Sequence, residues 1–124
     1  GFGLAGHAFE MARAAGVTFE IDYAALPIMA GALAAYRRGI SSAANPANRR
    51  LVGRAIQFLP PRPAWEEELL FDPQTSGGLL AAVPDAEAPP LLAALHSAGV
   101  TEARIIGRVT ERAGETLLKI RSNS

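Results

Sequence analysis

Apolar and polar residues alternate along the chain with two periods, one typical of helices and one typical of strands. Near the start, four apolar residues recur at helical spacing: Leu4, Ala8, Met11 and Ala15. This spacing predicts a helix over residues 4–15, which Gly16 would end. Residues 17–22 then alternate apolar and polar side chains and are rich in β-forming types, which predicts a short, half-buried strand.

The middle of the chain contains further helix and turn signals. Helices are predicted, from apolar spacing and flanking Gly or Pro, over three ranges: residues 27–38, 64–71 and 89–98. Residues 41–50 are small and polar and include Asn45-Pro46, which predicts a turn-rich segment. Residues 51–58 fit either a short helix or an apolar strand, and periodicity does not decide between them.

The second half of the chain adds three predicted strands. The apolar run at residues 79–83 predicts a buried strand. Two more strands are predicted over residues 104–110 and 116–120, joined as a hairpin by a turn at Ala113-Gly114. Interspersed helices and strands of this kind predict an α/β domain of the α+β type, in which helices cover a mixed sheet.

Composition limits the functions open to this chain. Its 124 residues, of which 49% are hydrophobic, suit one domain with a real core. Twelve basic and twelve acidic residues cancel, so no net charge attracts nucleic acid or an anionic membrane. The absence of cysteine excludes disulfides, thiolate metal sites and a cysteine nucleophile within the chain. No apolar run reaches the roughly 18 to 20 residues that span a bilayer.

Two loops have the composition of anion-binding segments. In residues 1–7, glycines precede a predicted helix, whose free N–H groups and dipole favour a phosphate. In residues 72–78, the side chains of Gln74, Thr75 and Ser76 supply donors and acceptors ahead of two glycines. Both patterns also fit ordinary loops, in which glycine serves the backbone geometry and hydroxyls bond to local backbone groups. From the residues alone, the ordinary-loop interpretation is favoured for both segments, and anion binding is the alternative.

No metal site is predicted. Glu66, Glu67 and Glu68 lie in the early turns of one predicted helix, where negative charge stabilises the helix start, and this interpretation is favoured over a metal site. His7 and His96 lie on separate helices and lack the spacing of metal ligands. No nucleophile and base pair is visible in the sequence either.

Three strings, in this order, carry a family resemblance: Gly1-Phe2-Gly3-Leu4-Ala5-Gly6-His7, Asp72-Pro73-Gln74-Thr75-Ser76-Gly77-Gly78-Leu79-Leu80 and Ile106-Gly107-Arg108-Val109-Thr110. Together they resemble the C-terminal domain of selenophosphate synthetases (selenide, water dikinases). This family is related to aminoimidazole ribonucleotide synthetase, thiamine monophosphate kinase and a hydrogenase-maturation dehydratase. The resemblance implies a fold like the C-terminal domain of aminoimidazole ribonucleotide synthetase.

The resemblance also implies an activity and partners. Selenophosphate synthetases are cytoplasmic phosphotransferases that convert selenide, ATP and water into selenophosphate, AMP and phosphate with magnesium. The parent enzyme would be a homodimer that uses ATP and Mg, and its N-terminal ATP-binding domain would be the partner of this chain. We expect the chain itself, residues 1–124, to be a single C-terminal domain, with a core over about 1–112 and a last strand at about 115–121. Alone it would be a monomer or weak dimer.

The family pattern assigns a cleft-lining role, beside ATP and its phosphates, to eight residues: Gly1, Phe2, Gly3, Gln74, Thr75, Ser76, Gly77 and Gly78. The family's magnesium-binding aspartate would precede Gly1, and its catalytic cysteine or selenocysteine and its lysine belong to the N-terminal domain. We therefore expect no catalytic residue, no metal ligand and no bound cofactor in this chain alone. Residues 42–46 depart from the glycine-rich loop of the family, which leaves the role of this loop open.

Two other functions remain possible from the sequence. One is a free-standing binding or regulatory module that kept the fold and lost catalysis. The other is a domain of a related ATP-dependent enzyme such as thiamine monophosphate kinase, against which the string at residues 72–80 argues. The chain begins on a glycine-rich motif without an initiator Met, and we expect it to be a fragment of a longer enzyme.

Overall fold

The computed structural model describes residues 1–122. The helices of this part of the chain are α1 (Gly3–Ala15), α2 (Ala32–Arg37), α3 (Asn45–Val52), α4 (Ala64–Glu68) and α5 (Ala88–Ser97). The strands are β1 (Val17–Asp22), β2 (Ile56–Leu59), β3 (Gly107–Glu111) and β4 (Leu118–Arg121). Single 3-10 turns occupy Tyr23–Ala25, Gly53–Ala55, Leu69–Phe71 and Asp85–Glu87.

Within residues 1–122 the strands form one mixed sheet in the order β2-β4-β1-β3. Strand β4 pairs in parallel with both β1 and β2, whereas β3 pairs antiparallel with β1. Helix α1 packs against β1 and β4. The predicted fold class, α+β with helices on a mixed sheet, is confirmed.

The predicted hairpin between the last two strands is wrong, because β1 lies between β3 and β4. An isolated bridge between Ala113 and Thr116 marks the predicted turn. Thr18 of β1 holds this connection, since its hydroxyl donates to Thr116 O at 2.7 Å and accepts from Ala113 N at 2.9 Å. The inner position suits β4 because its apolar side chains Leu118 and Ile120 are fully buried there.

The core lies between α1 and the sheet. Three small residues on one face of α1 allow the helix to approach the strands closely: Ala5, Ala8 and Ala12. Phe71, Leu118 and Ile120 form the centre of the core and are inaccessible to solvent. The helix predicted over residues 4–15 is confirmed, but its buried face is rotated away from the predicted stripe, and Ala15 is exposed. Alanine is too weakly apolar to mark a buried face by pattern alone.

The turn-rich segment predicted at residues 41–50 is wrong, because this stretch contains helix α3. Pro46 lies in the first turn of α3, where a missing N–H costs no helical hydrogen bond. Asn45 and Asn48, two of the polar residues that suggested a loop, are instead buried. Residues 51–58, left undecided by periodicity, end α3 and continue through a 3-10 turn into β2.

The other predicted helices are present with adjusted ends. The helix predicted over residues 27–38 is shorter and forms only α2, because Gly31 at its start has a left-handed backbone, with φ of 84°. Helix α4 and the 3-10 turn after it together cover the predicted range 64–71. Helix α5 confirms the helix predicted near residues 89–98. No helix in residues 1–122 combines the length and hydropathy that crossing a bilayer requires.

The buried strand predicted at residues 79–83 is wrong. The structure has no strand there, and Leu79 is fully exposed. No residue of the neighbouring α5 is buried either, within its range Ala88–Ser97. An apolar run forms a buried strand only when a neighbouring strand supplies hydrogen-bond partners and a second layer covers its face, and local sequence specifies neither.

Candidate functional site

A wide groove opens between α1, the sheet and α5, and we call it the central groove. It is lined by seven of the eight residues predicted to face the cleft: Gly1, Gly3, Gln74, Thr75, Ser76, Gly77 and Gly78. Apolar side chains continue its wall: Leu79, Leu80, Leu91, Leu92, Leu95 and Ile105. The two glycine-containing loops, far apart in sequence, adjoin each other, since a Cβ added at Gly1 would lie 3.7 Å from Pro73 Cβ.

Phe2, the remaining predicted residue, lies outside this lining. The residue is 43% exposed, and its ring contacts the ring of His7, with 5.5 Å between the two centroids. The backbone of Gly6 passes close beneath Phe2, since a Cβ added at Gly6 would lie 2.5 Å from Phe2 Cβ. The close approach of Phe2 thus explains the glycine at position 6.

Gly3 is the point at which the first loop touches the segment that leads into the second. Its φ is 73°, and an added Cβ would lie 2.8 Å from both Leu70 O and the carbonyl carbon of Phe71. Real Cβ atoms do not approach backbone so closely, so a side chain here would force the two segments apart. Protein packing therefore requires glycine at this position.

Asn48 of α3 bonds to both segments at once. Its side-chain nitrogen Nδ2 donates to Gly1 O and to Phe71 O, each at 2.9 Å, and the residue is 4% exposed. Sequence analysis did not assign Asn48 any role at the site. One sequence feature could have indicated that Asn48 is buried: Asn45, Asn48 and Val52 are spaced i, i+3, i+7. These three residues share one helical face once residues 45–52 are treated as a helix.

A second buried network holds Asp72, the first residue of the second loop. The Tyr36 hydroxyl donates to Asp72 Oδ1. Asn45 Nδ2 donates to Tyr36 Oη at 3.1 Å and to Glu68 O at 3.2 Å, and Ser42 Oγ donates to Asn45 Oδ1 at 2.6 Å. Burial, followed by the hydrogen bond with Asp72, raises the pKa of Tyr36 to about 12. At neutral pH the Tyr36 phenol is therefore uncharged and donates its proton in the hydrogen bond to Asp72.

The tip of the second loop is open to the groove. Residues 74–78 are exposed, and no heavy atom of the described chain lies within 4 Å of a Cβ added at Gly78. Ser76 has a left-handed backbone, with φ of 53°, which is uncommon for a residue other than glycine. Within residues 1–122 the hydroxyls of Thr75 and Ser76 form no hydrogen bond to the protein, so both are free to bond a ligand in the groove.

Two arginines and their acidic partners are used in structural contacts. The guanidinium of Arg49 lies 3.5 Å from Glu67 Oε1 and 3.6 Å from Glu68 Oε2, and it stacks on the ring of Phe71 at 4.6 Å. Arg62 pairs with Glu66 at 2.7 Å. Glu66, Glu67 and Glu68 therefore form ion pairs with arginines in this fold. Nowhere in residues 1–122 do three His, Asp or Glu side chains come close enough to hold a metal ion.

Residues 1–119 match the family described as AIR synthase related protein, C-terminal domain. The chain belongs to this family. The predicted resemblance, and the fold that it implied, are therefore confirmed.

Three curated relatives of the chain share one name. The chain is 37% identical over 120 residues to a protein named "Selenide, water dikinase" from Clostridioides difficile. It is 39% identical over 113 residues to a protein of the same name from Burkholderia pseudomallei, and 38% identical over 124 residues to one from Treponema denticola. The matches cover 97%, 91% and 97% of this chain but only 34%, 32% and 34% of those proteins. The chain thus spans about a third of the length of the relatives it matches.

Proposed function

We propose that this chain is the C-terminal domain of a selenophosphate synthetase and that its central groove forms one wall of the cleft that binds ATP. The observation that carries the proposal is that the two loops predicted to face the cleft, which include Gly1, Gly3 and residues 74–78, line the same groove. Relatives named selenide, water dikinase support the identity of the parent enzyme.

The second loop suits the phosphate end of a nucleotide. Thr75 and Ser76 offer unbonded hydroxyls, and the open space at Gly78 lets a ligand approach the backbone closely. ATP would supply the phosphoryl groups that are transferred, and this loop would orient them and exclude water. The same residues do not suit magnesium, because residues 74–78 offer hydroxyl, amide and backbone groups and none of the carboxylates by which proteins bind this ion. Any magnesium would be bound by the remainder of the longer protein.

The proposal implies that the chain has no catalytic activity alone. Phosphoryl transfer depends on positive charge, from magnesium and from Lys or Arg, placed against the developing negative charge. Arg49, the arginine nearest the second loop along α3, is engaged by Glu67 and Glu68. The ATP-binding domain of the longer protein would supply that charge. The same domain would form the contacts of the parent homodimer.

Activity and binding measurements test the proposal. With selenide and ATP, the longer protein that contains this chain should produce AMP and phosphate, whereas the 124-residue chain should produce neither. Calorimetry should detect no ATP binding by the isolated chain at micromolar concentrations. Micromolar affinity in the isolated chain would overturn its role as a wall of the cleft. A longer protein without AMP production would instead indicate a non-catalytic module of the same fold.

A further inference from the structure

The carbonyl oxygens of Gly1 and Phe71 point at one side-chain nitrogen. Both are bonded by Asn48 Nδ2 at 2.9 Å, in a position where Asn48 is 4% exposed. Two carbonyl oxygens carry the same partial charge and repel each other, so they stay close only when donors lie between them. A primary amide places two N–H groups on one nitrogen and suits this task.

We propose that Asn48 is a positioning residue that joins the two loops of the cleft and sets their spacing. The inference rests on the proposed function, because it assigns Asn48 a role in how the cleft holds ATP. Asn48 does not line the groove and acts only through the backbones of Gly1 and Phe71.

Helix α3 is well placed for this role because it holds two successive residues, Phe71 just before the second loop and Asp72 at its start. Asn48 bonds the carbonyl of Phe71, and Asn45, one turn earlier, bonds the Tyr36 hydroxyl that in turn bonds Asp72. The first loop is bonded by Asn48 and is pressed against the same backbone at Gly3. A shift of α3 would therefore move both loops relative to each other.

The alternative is that Asn48 only satisfies buried carbonyls, so that its loss would lower stability and nothing else. Val52 provides the matched control, because it is 3% exposed on the same helix face and has an apolar side chain that bonds neither loop. Asn48→Leu keeps the size of the side chain and removes both donors. Asn48→Ala serves as a second variant if the first does not fold. Val52→Ala lowers stability without removing a hydrogen bond.

The functional readout is the kinetics of the longer protein at a temperature at which all variants remain folded. Asn48→Leu should raise the KM for ATP about tenfold, since small displacements of positioning groups have effects of this size or larger. Val52→Ala should leave the KM within about twofold of the original. Equal KM values in the two variants would overturn the positioning role.

A structural readout on the 124-residue chain separates this inference from the proposed function. The amides of Asp72 and Gln74 donate to Leu69 O and Asp72 O at 3.2 and 3.0 Å. In Asn48→Leu these amides should exchange with solvent about fivefold faster than in Val52→Ala. Unchanged exchange would show that Asn48 does not hold the loop and would overturn the inference even if the longer protein were an active dikinase. Lack of AMP production by the unmodified longer protein would instead count against the proposed function.

Discussion

At the scale of single residues, Gly3 and Asn48 determine how the two loops meet. The sequence allows two interpretations of the glycines at the chain start, the approach of a phosphate and ordinary loop geometry. The structure gives Gly3 a different partner, the backbone of Leu70 and Phe71, which an added Cβ would meet at 2.8 to 2.9 Å. Residue type alone could not distinguish these causes, because a close approach by a ligand and a close approach by a distant backbone both require glycine.

Substitution of Gly3 should reveal this contact in the stability of the chain. Gly3→Ala should lower the free energy of unfolding by about 3 kcal/mol, from a left-handed backbone and from overpacking. Gly16→Ala is the control: its φ of 67° is similar, but no atom lies within 4 Å of an added Cβ, so its cost should be about 1 kcal/mol. Chemical denaturation of both variants measures the difference. Equal losses of unfolding free energy in the two variants would mean that the first loop moves away from Leu70 and Phe71 without cost.

The two tyrosines should make the fold sensitive to alkaline pH. Burial is the main cause that raises the pKa of Tyr23 and of Tyr36 from 10.0 to about 12, with further contributions from the charge of Glu66 and the hydrogen bond with Asp72. Because folding favours the neutral phenols, their contribution to stability is complete below pH 10 and is lost as the pH rises through about 12.

This behaviour can be followed by ultraviolet absorbance of tyrosinate. The folded chain should show little tyrosinate at pH 10, where an unfolded control in denaturant is half ionised. Tyr36→Phe should leave one tyrosine with the same delayed titration. Ionisation of the folded chain near pH 10 would contradict the buried environments of both phenols.

At the scale of elements, β4 and α5 show how differently similar apolar segments are used. Both contain several leucine or isoleucine residues, and the sequence predicts both elements near their observed positions. Strand β4 lies inside the sheet with Leu118 and Ile120 fully buried, whereas no residue of α5, Ala88–Ser97, is buried. Periodicity predicts that an element forms, but the depth of its burial depends on which elements pack against it.

Matched leucine substitutions test this difference. Leu118→Ala should destabilise the chain by about 3 kcal/mol, because it leaves a cavity in the core. Leu91→Ala on α5, where Leu91 is 41% exposed, should change stability by no more than about 0.5 kcal/mol. Thermal or denaturant unfolding measures both values. A large cost at Leu91 would show that α5 is packed against another surface in solution.

At the scale of the whole molecule, the exposed apolar side chains are the most unusual feature. Six large apolar residues exposed by 48% or more line the groove: Met29, Ile40, Leu79, Val100, Ile105 and Val109. Exposed apolar surface of this kind marks interaction sites in native proteins. We propose that the ATP-binding domain of the longer protein covers it, because this chain spans about a third of its dikinase relatives.

A dye that binds apolar surface should report this coverage. The 124-residue chain should bind such a dye in its folded state, and the longer protein should bind less of it per molecule. Within the isolated chain, Leu79→Ser should lower the dye fluorescence, whereas Gln57→Ser, at an exposed polar position, should not. Equal fluorescence of the two proteins would contradict the proposal that another domain covers the groove.

The sequence by itself determined the family, through ordered strings, and the positions of helix α1 and strand β1, because these depend on residues close together in the chain. The tertiary structure alone decided the strand order, the burial of α3 and the meeting of the two loops through Asn48. These features depend on contacts between residues that are distant in sequence. Local propensity and periodicity contain no information on which distant partner an element will find.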